Sequence, residues 1–356
     1  MHVHDSLSPR PVVLLLPGQG SQHVRMAHGL YRQVPAFTEA FDEAVELLGP
    51  LGAEARDDWL AERPAVPLDD VARAQPLIFA VDYALSRMVI SWGVRPAAVL
   101  GHSVGEAVGA VLTGVVSLAD AARMLAERVE LIAGAPPGGM LAVAASRESM
   151  APYLTERVVV GAVNGPQQLL LAGPDPDLEQ VTARLLDDGF TCMRARATSG
   201  FHSPSLAPIC RQSVDSYRGI RLSAPHTPLI SGYTAAPLTA ETAADPSFWA
   251  MQPAEPVLFG PALDALLAGG RYLLLEAGPG QGLSALARRH PEVSSGNSAD
   301  LALLGSRPRT PEDDRRNVLK AVRALVREGH PVEPVGLVPL DTADDLGAQP
   351  VGSVAP

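Results

Sequence analysis

Residues 98–110 read AVLGHSVGEAVGA, a short apolar run that stops at a glycine and continues, after a serine, with helical spacing. The centre, GHSVG, fits Gly-x-Ser-x-Gly, a motif whose serine lies on a sharp turn between a strand and a helix. Such a turn needs small neighbours because the helix backbone passes close to the strand, and Gly101 and Gly105 meet this need. The pattern therefore predicts a strand, a turn that exposes the hydroxyl of Ser103, and a helix. In a chain with 32 glycines, a chance turn is the alternative.

The first strand of the same sheet is predicted near the N-terminus. Residues 11–22, PVVLLLPGQGSQ, form an uninterrupted apolar run that ends at Pro-Gly, which is typical of a strand buried on both faces of a parallel sheet. Two helical patterns, over 26–49 and 75–93, follow before the strand that leads into Ser103. Because strands alternate with helices, the sequence predicts an α/β fold with a parallel sheet.

The pattern changes after the Gly/Pro-rich loop at 134–139. Short strand-like runs now surround one amphipathic helical pattern; the runs lie at 140–146, 157–164, 167–174 and 190–198, and the helical pattern at 177–189. Patterns of the larger domain return after His202. We therefore predict a small subdomain inserted into the larger one.

A serine nucleophile needs a base, and the chain contains nine histidines. His202, in TSGFHSPS, lies in a Ser/Gly/Pro-rich loop, where functional side chains are often found. It is our candidate base, and a loop or capping histidine is the alternative. No Asp or Glu stands out as a third member of a triad. The loop PGQGSQ after the first strand is a candidate source of a second oxyanion donor, with an ordinary strand exit as the alternative.

Arg128 lies on an otherwise apolar helical stripe. The helical pattern SLADAARMLAERVELIAG begins at Ser117, a plausible N-cap, and its apolar face carries Arg128 at i, i+3, i+4 spacing. A half-buried arginine needs an anionic partner, and its planar fork suits a carboxylate. Three explanations of Arg128 therefore stay open: it binds a ligand carboxylate, it pairs with an internal acid, or its stem is buried and its guanidinium is exposed.

The composition of the chain argues against several classes of function. The formal net charge is −11, which argues against a nucleic-acid-binding protein, because such proteins need a basic face. No apolar run approaches the length of a membrane span, and the first 11 residues show no signal-peptide pattern. The two cysteines have neither a disulfide framework nor metal-ligand spacing. We expect a cytoplasmic protein with no membrane, nucleic-acid or metal partner.

Taken together, PGQGSQ, GHSVGE, the arginine at 128, GFHSP and EAGPG occur in one order that resembles the malonyl-CoA:acyl-carrier-protein transacylase family, in its polyketide-synthase acyltransferase branch. The resemblance implies an α/β-hydrolase-like large subdomain over 11–138 and 205–308. It also implies an inserted ferredoxin-like subdomain over 139–204, and a C-terminal helix and tail over 309–356. Since we see no neighbouring synthase domain in the sequence, the resemblance is to a free-standing, trans-acting enzyme.

The resemblance also implies a role for each site residue. Ser103 is the nucleophile and His202 its base, in a dyad whose histidine is oriented by the backbone carbonyl of Gln252. The N–H groups of Gln19 and Val104 form the oxyanion hole. Four substrate-binding positions, besides the carboxylate-binding Arg128, are His102, Ala107, Gly200 and Phe201.

The implied reaction moves a malonyl-type group from coenzyme A to the phosphopantetheine thiol of an acyl carrier protein, with no bound cofactor. Phe201 resembles the malonyl-selective pattern, whereas Gly200 is smaller than the usual residue and Ala107 replaces a bulky one. These departures leave open a larger acyl group, a non-carboxylated group moved between carriers, or an acyl-carrier hydrolase. The cognate carrier, the product and the oligomeric state are not indicated.

Overall fold

The computed structural model describes residues 8–306 and 310–337, in which two β-sheets form. The strands found in these residues are β1 (Val12–Leu16), β2 (Pro96–Gly101), β3 (Gly138–Val143), β4 (Val159–Gly165), β5 (Gln168–Pro174), β6 (Cys192–Arg194), β7 (Leu229–Ser231), β8 (Ala236–Pro237), β9 (Leu273–Glu276) and β10 (Ala299–Ala302). The functional site lies where the two sheets meet.

Helices pack against both sheets. In the same described ranges they are α1 (Pro35–Leu47), α2 (Gly49–Leu60), α3 (Val71–Ser91), α4 (Val104–Leu112), α5 (Leu118–Ala133), α6 (Arg147–Met150), α7 (Asp175–Asp187), α8 (Ala207–Cys210), α9 (Ser213–Tyr217), α10 (Ala240–Ala243), α11 (Pro246–Met251), α12 (Phe259–Ala268), α13 (Gly282–Ala287), α14 (Pro291–Ser294) and α15 (Pro311–Arg327). Among them, none is both long enough and apolar enough to cross a membrane.

The large sheet has the strand order β10-β9-β1-β2-β7-β8, and every neighbouring pair is parallel except β7 and β8. The central position of β1 explains why its sequence is apolar throughout. Val12, Leu14 and Leu16 pack into one hydrophobic core, and Val13 and Leu15 pack into a second core on the other face. A strand covered on both sides needs apolar residues at every position. The prediction of an α/β fold with a parallel sheet is confirmed.

The small sheet is antiparallel, with the order β4-β5-β3-β6. Its elements follow one another as strand, helix, strand, strand, helix, strand, and they enclose a core of their own. This is the expected ferredoxin-like arrangement, and it is inserted between α5 and β7. Its strands run from Gly138 to Arg194. The boundaries drawn at 139–204, 11–138, 205–308 and 309–356 stay predictions, and the last segment lies partly outside the described residues.

Backbone hydrogen bonds join the two subdomains. The N–H of Val163 in β4 donates to the carbonyl of Val257 (2.8 Å), and the N–H of Val257 donates to the carbonyl of Gly161 (2.9 Å). β4 is thereby paired with a segment of the large subdomain that precedes α12. This junction holds the small sheet beside the carboxyl ends of β1 and β2.

The helix predicted over 26–49 is shorter than expected, because α1 begins only at Pro35. Turns precede it, and Arg25, Ala27 and Arg32 have positive φ angles of 61°, 58° and 61°. Met26 is fully buried, and its carbonyl accepts a hydrogen bond from the Trp59 indole (2.9 Å). The apolar spacing before Pro35 therefore reflects packing against α2 rather than a helix. These tertiary contacts outweigh the local preference for helical backbone.

Candidate active site

Ser103 lies at the turn between β2 and α4, as the sequence predicts. Its backbone has φ 54° and ψ −120°, in the positive-φ region that non-glycine residues rarely adopt. A Cβ on Gly101 would lie 2.4 Å from the backbone nitrogen of Glu106, and a Cβ on Gly105 would lie 2.2 Å from the carbonyl oxygen of Leu16. Both glycines are therefore required by the close passage of α4 over the ends of β1 and β2.

His202 lies beside this serine although it is far away in sequence. Its Nε2 is 2.9 Å from the Oγ of Ser103. Its Nδ1 is 2.9 Å from the carbonyl oxygen of Glu255 and 3.2 Å from that of Gln252. Since carbonyl oxygens only accept hydrogen bonds, Nδ1 carries the proton and Nε2 is free to accept from the serine hydroxyl. The carbonyl of Gln252 is where the resemblance places it, but that of Glu255 is closer.

The turn at residues 252–255 also fixes the backbone of His202. The N–H of His202 donates to the carbonyl of Pro253 (2.6 Å), and the φ angle of His202 is 62°. Ring and main chain are thus held by the same short turn. This double attachment keeps the imidazole facing Ser103 without a carboxylate, which explains why no third acid stands out in the sequence.

The protonation state of His202 follows from its surroundings. Its pKa is lowered to about 4, mainly by burial and also by the positive potentials of His102 and Arg128, while the two carbonyls at Nδ1 oppose the change. The imidazole is therefore neutral at physiological pH. A neutral ring next to a serine hydroxyl is the form that accepts a proton.

The two residues predicted to form an oxyanion hole belong to segments that border Ser103, the start of α4 and the loop after β1. Val104 is the first residue of α4, where a backbone N–H has no partner within the helix. Gln19 follows Gly18, whose Cβ, if present, would be 2.5 Å from the carbonyl oxygen of His102 and 3.1 Å from the Cβ of Ser103. The loop after β1 thus touches the turn. The use of these N–H groups stays a prediction.

Arg128 extends from α5 into the same site and is 8% exposed, so its guanidinium is not directed into solvent. Its Nη2 donates to the carbonyl of Trp249 (3.2 Å). Within residues 8–306 and 310–337, no carboxylate forms an ion pair with it. Of the three alternatives left open by the sequence, an internal acid and an exposed guanidinium find no support in the described residues. A buried cation beside a serine suits an anionic ligand.

Arg128 also lines a cavity of about 10 Å³, which is room for about one water molecule. Small and apolar side chains line it, together with the arginine: Ala107, Ala110, Val116, Ala121, Met124, Leu125, Arg128 and Trp249. The predicted position 107 therefore faces the space beside Arg128. Phe201 is buried, with its ring centroid 6.3 Å from that of His202.

Two other predicted substrate positions have structural contacts. A Cβ on Gly200 would lie 2.9 Å from the carbonyl oxygen of Gly173 in β5, so this glycine permits close packing of the loop before His202 against the small sheet. Its role in the acyl pocket stays a prediction. His102 places its Nε2 2.9 Å from the Oδ1 of Asn164 in β4, and burial lowers its pKa. Its direct contact with substrate stays a prediction.

Glu106 is a buried residue of the site that sequence reasoning passed over, although it belongs to the quoted stretch. The Ser231 hydroxyl donates to its Oε1 and the Gly232 N–H to its Oε2, both at 2.7 Å. Burial raises its pKa to about 8, and the two hydrogen bonds oppose that rise. The carboxyl group ties α4 to the loop after β7, which carries Tyr233.

Tyr233 was also missed. Its ring centroid lies 6.1 Å from that of His202. The sequence offers only the short apolar run before Tyr233, which forms β7 of the parallel sheet. In the described part of the chain, no group of three or more His, Cys, Asp or Glu side chains is arranged to hold a metal ion.

A serine on a strand-to-helix turn, with a neutral histidine at hydrogen-bond distance, is the arrangement of enzymes that carry an acyl group as a serine ester. The comparison with known families agrees. The chain belongs to the acyl transferase domain family, whose model matches residues 13–326. It is therefore an acyltransferase of the type found in polyketide synthases and malonyl-CoA:acyl-carrier-protein transacylases, as the motifs indicated.

Among curated proteins, the chain is similar to a component of the phenolphthiocerol/phthiocerol polyketide synthase of Mycobacterium tuberculosis, with 35% identity over 323 residues. The match covers 90% of this chain and 22% of that synthase component. Two solved structures are each 30% identical with a TM-score of 0.83. One is the acyltransferase domain of the second module of the salinomycin polyketide synthase (93% of this chain, 76% of that one). The other is the acyl transferase domain of SpnD in complex with 2-(pent-4-yn-1-yl)malonyl (94% and 79%).

Proposed function

We propose that this acyltransferase moves a malonyl-type (α-carboxyacyl) group from coenzyme A to the phosphopantetheine thiol of an acyl carrier protein in polyketide biosynthesis. The observation that carries the proposal is the buried guanidinium of Arg128, which has no carboxylate partner among the described residues and lies in the site of Ser103 and His202. The similar domain of SpnD, solved in complex with a substituted malonyl group, supports a carboxylated substrate.

Each group takes a step in the proposed reaction. The Nε2 of His202 accepts the hydroxyl proton as the Oγ of Ser103 attacks the thioester carbonyl. The N–H groups of Val104 and Gln19 stabilise the oxyanion. When the C–S bond breaks, the imidazolium returns the proton to the sulfur, and coenzyme A leaves a serine ester. The carrier thiol then attacks that ester by the reverse sequence, with His202 again as base. No resident cofactor takes part.

A substituted malonyl group is the second candidate substrate, because Ala107 stands beside Arg128 where the family usually has a bulky residue. The cavity there has room for only about one water molecule, so the structure itself does not favour a large substituent. A non-carboxylated acyl group and an acyl-carrier hydrolase remain the alternatives. Action in trans and a cytoplasmic location stay predictions, since the chain spans 22% of the M. tuberculosis synthase component that it resembles.

The proposal is tested by incubating the protein with malonyl-, methylmalonyl-, butylmalonyl- and acetyl-CoA and recording its intact mass, then adding a separately purified phosphopantetheinylated carrier. We expect a carboxyacyl adduct on Ser103 that moves to the carrier, and no adduct on Ser103→Ala. Preferential loading of acetyl-CoA would contradict the carboxylate assignment. Loss of the adduct to water in the presence of carrier would instead indicate a hydrolase.

The lowered pKa of His202 predicts the pH dependence of Ser103 acylation. A base acts in its neutral form, and a pKa of about 4, below the ordinary value of 6.5, keeps this ring neutral through mildly acidic pH. The single-turnover acylation rate should therefore stay level as pH falls through 6.5 and decline only as pH approaches about 4. Rapid-quench mass spectrometry measures the rate, and circular dichroism checks the fold at each pH. A decline centred near pH 6.5 would show that the ring titrates normally.

A further inference from the structure

The loop after β1 is held by the carboxylate of Asp69, a residue in the connection between α2 and α3. The side chain of Gln22 donates from its Nε2 to the Oδ1 of Asp69 (2.8 Å). The Oε1 of the same side chain accepts from the backbone N–H of Gly20 (2.7 Å). Gln22 therefore connects the carboxylate of Asp69 to the backbone of the loop by two hydrogen bonds.

Two longer hydrogen bonds hold the side chain of Gln19 in the same loop. Its Nε2 donates to the backbone carbonyl of Asp69 (3.4 Å), and its Oε1 accepts from the Nε2 of Gln75, a buried residue of α3 (3.3 Å). Asp69 thus contacts the loop through its main chain as well as through its carboxylate. The shorter bonds that Gln22 makes are the stronger part of this connection.

The two peptide units that flank the α-carbon of Gln19 are fixed separately. The carbonyl of Gly18 accepts from both the N–H (3.2 Å) and the hydroxyl (2.8 Å) of Ser21. In a planar trans peptide unit the C=O and the N–H point in opposite directions, so fixing the Gly18 carbonyl also fixes the N–H of Gln19. The next unit is fixed by the bond between Gly20 and Gln22. Among the residues that the structure describes, the N–H of Gln19 has no hydrogen-bond partner, so it can donate to a ligand.

This loop borders the nucleophile, since a Cβ on Gly18 would lie 3.1 Å from the Cβ of Ser103. We propose that Asp69 is a positioning residue: acting through Gln22, its carboxylate holds the loop so that the N–H of Gln19 is ready to donate to the oxyanion formed during acyl transfer. The inference rests on the oxyanion role that the proposed function gives to this N–H. A donor that is already in place needs no reorganisation when the oxyanion forms.

The second oxygen of the carboxylate offers a different explanation of Asp69. Its Oδ2 lies 3.5 Å from the Nη1 of Arg196, which belongs to the segment between β6 and His202. The side chain of Arg196 is 86% exposed, and an exposed ion pair contributes little. The bond to Gln22 is shorter and continues into the backbone of the loop. We therefore assign the effect of Asp69 to the loop rather than to the ion pair.

The test uses p-nitrophenyl acetate, which acetylates an activated serine whatever acyl group the enzyme takes in nature. Intact mass measures the rate at which acetyl-Ser103 forms, and the melting temperature is recorded for each variant. Asp69→Ala removes the carboxylate, Gln22→Ala removes the side chain that it holds, and Asp69→Asn keeps an oxygen that can accept from Gln22. Asp70→Ala is the structural control, because Asp70 caps α3 by accepting from the N–H of Ala72 (2.8 Å).

For Asp69→Ala and for Gln22→Ala we expect acetylation slowed by about tenfold to a hundredfold, because a donor that is held less firmly stabilises the oxyanion less. The double variant should be no slower than either single variant, since both act through one hydrogen bond. Asp69→Asn and Arg196→Ala should stay within about threefold of the wild type. Asp70→Ala should lower the melting temperature without slowing acetylation.

Wild-type acetylation in Asp69→Ala would overturn the proposal. Losses that add in the double variant, or an equal loss in Arg196→Ala, would show that Asp69 does not act through Gln22. An equal loss in Asp70→Ala would mean that the start of α3, rather than the carboxylate of Asp69, is what the rate depends on. If the wild type loads no malonyl group while the variants at 69 and 22 acetylate slowly, the proposed function fails and this inference stands.

Discussion

Replacing His202 with asparagine is expected to lower the rate of Ser103 acylation by roughly a hundredfold to ten-thousandfold, the usual contribution of a general base. The imidazole Nε2 lies 2.9 Å from the serine oxygen, and among the described residues the other hydrogen-bond partners of the ring are backbone carbonyls, which cannot accept a proton at working pH. Asparagine suits this position because it tolerates the positive φ of 62° better than most residues do. Rapid-quench mass spectrometry with malonyl-CoA measures the rate.

The matched control for this prediction is His226→Asn, since His226 is exposed and contacts the neighbouring Thr227. Circular dichroism and the melting temperature report whether either variant has lost its fold. An acylation rate in His202→Asn within a few-fold of the wild type would remove the histidine from the proposed mechanism, whatever its distance from Ser103.

Replacing Arg128 with alanine is expected to lower malonyl loading by roughly a hundredfold or more, the cost of truncating one partner of a buried charge pair. Acetyl loading should change by no more than about threefold, because an acetyl group has no carboxylate for the guanidinium to bind. The ratio of the two loading rates is the measurement that matters, since a general defect in the fold lowers both. Intact mass with each acyl-CoA gives that ratio.

Arg128→Lys separates charge from shape. Lysine retains the positive charge but lacks the planar fork, so we expect malonyl loading between that of wild type and Arg128→Ala. Arg123→Ala, on the same helix but on its exposed side, is the control. Equal loss of malonyl and acetyl loading in Arg128→Ala would mean that the arginine stabilises the site through the Trp249 carbonyl rather than by binding a carboxylate.

What the sequence predicted well depends on short-range geometry. The turn at Ser103 follows from two glycines and an apolar strand, because each requirement is met within a few residues. β1 was recognisable because a strand buried on both faces leaves an uninterrupted apolar run. Likewise, Ser117 caps α5 by accepting a hydrogen bond from the N–H of Asp120 (3.0 Å). These features are local, so no knowledge of the tertiary fold was needed.

Features set by the backbone or by distant contacts were not predictable in the same way. Its loop context made His202 a candidate base among nine histidines, with a loop or capping histidine as the alternative, and only the family resemblance assigned it the role. The carbonyl of Glu255 left no trace in the sequence, because every residue has one. The places of Glu106 and Tyr233 in the site depend on the loop after β7. The turns before Pro35 depend on packing against Trp59. In each case the deciding partner is far away along the chain.

The insertion of the small sheet between Ser103 and His202 also affects the order in which a ribosome delivers the parts of the site. A nascent chain that has reached residue 201 already contains the serine and Arg128, but it lacks the histidine, the turn at 252–255 that holds it, and strands β9 and β10. It can bury part of its core, yet it has no base with which to open a thioester. Unfinished copies therefore do not compete with finished ones for acyl groups, and reactivity begins only once the second half of the large sheet has been translated.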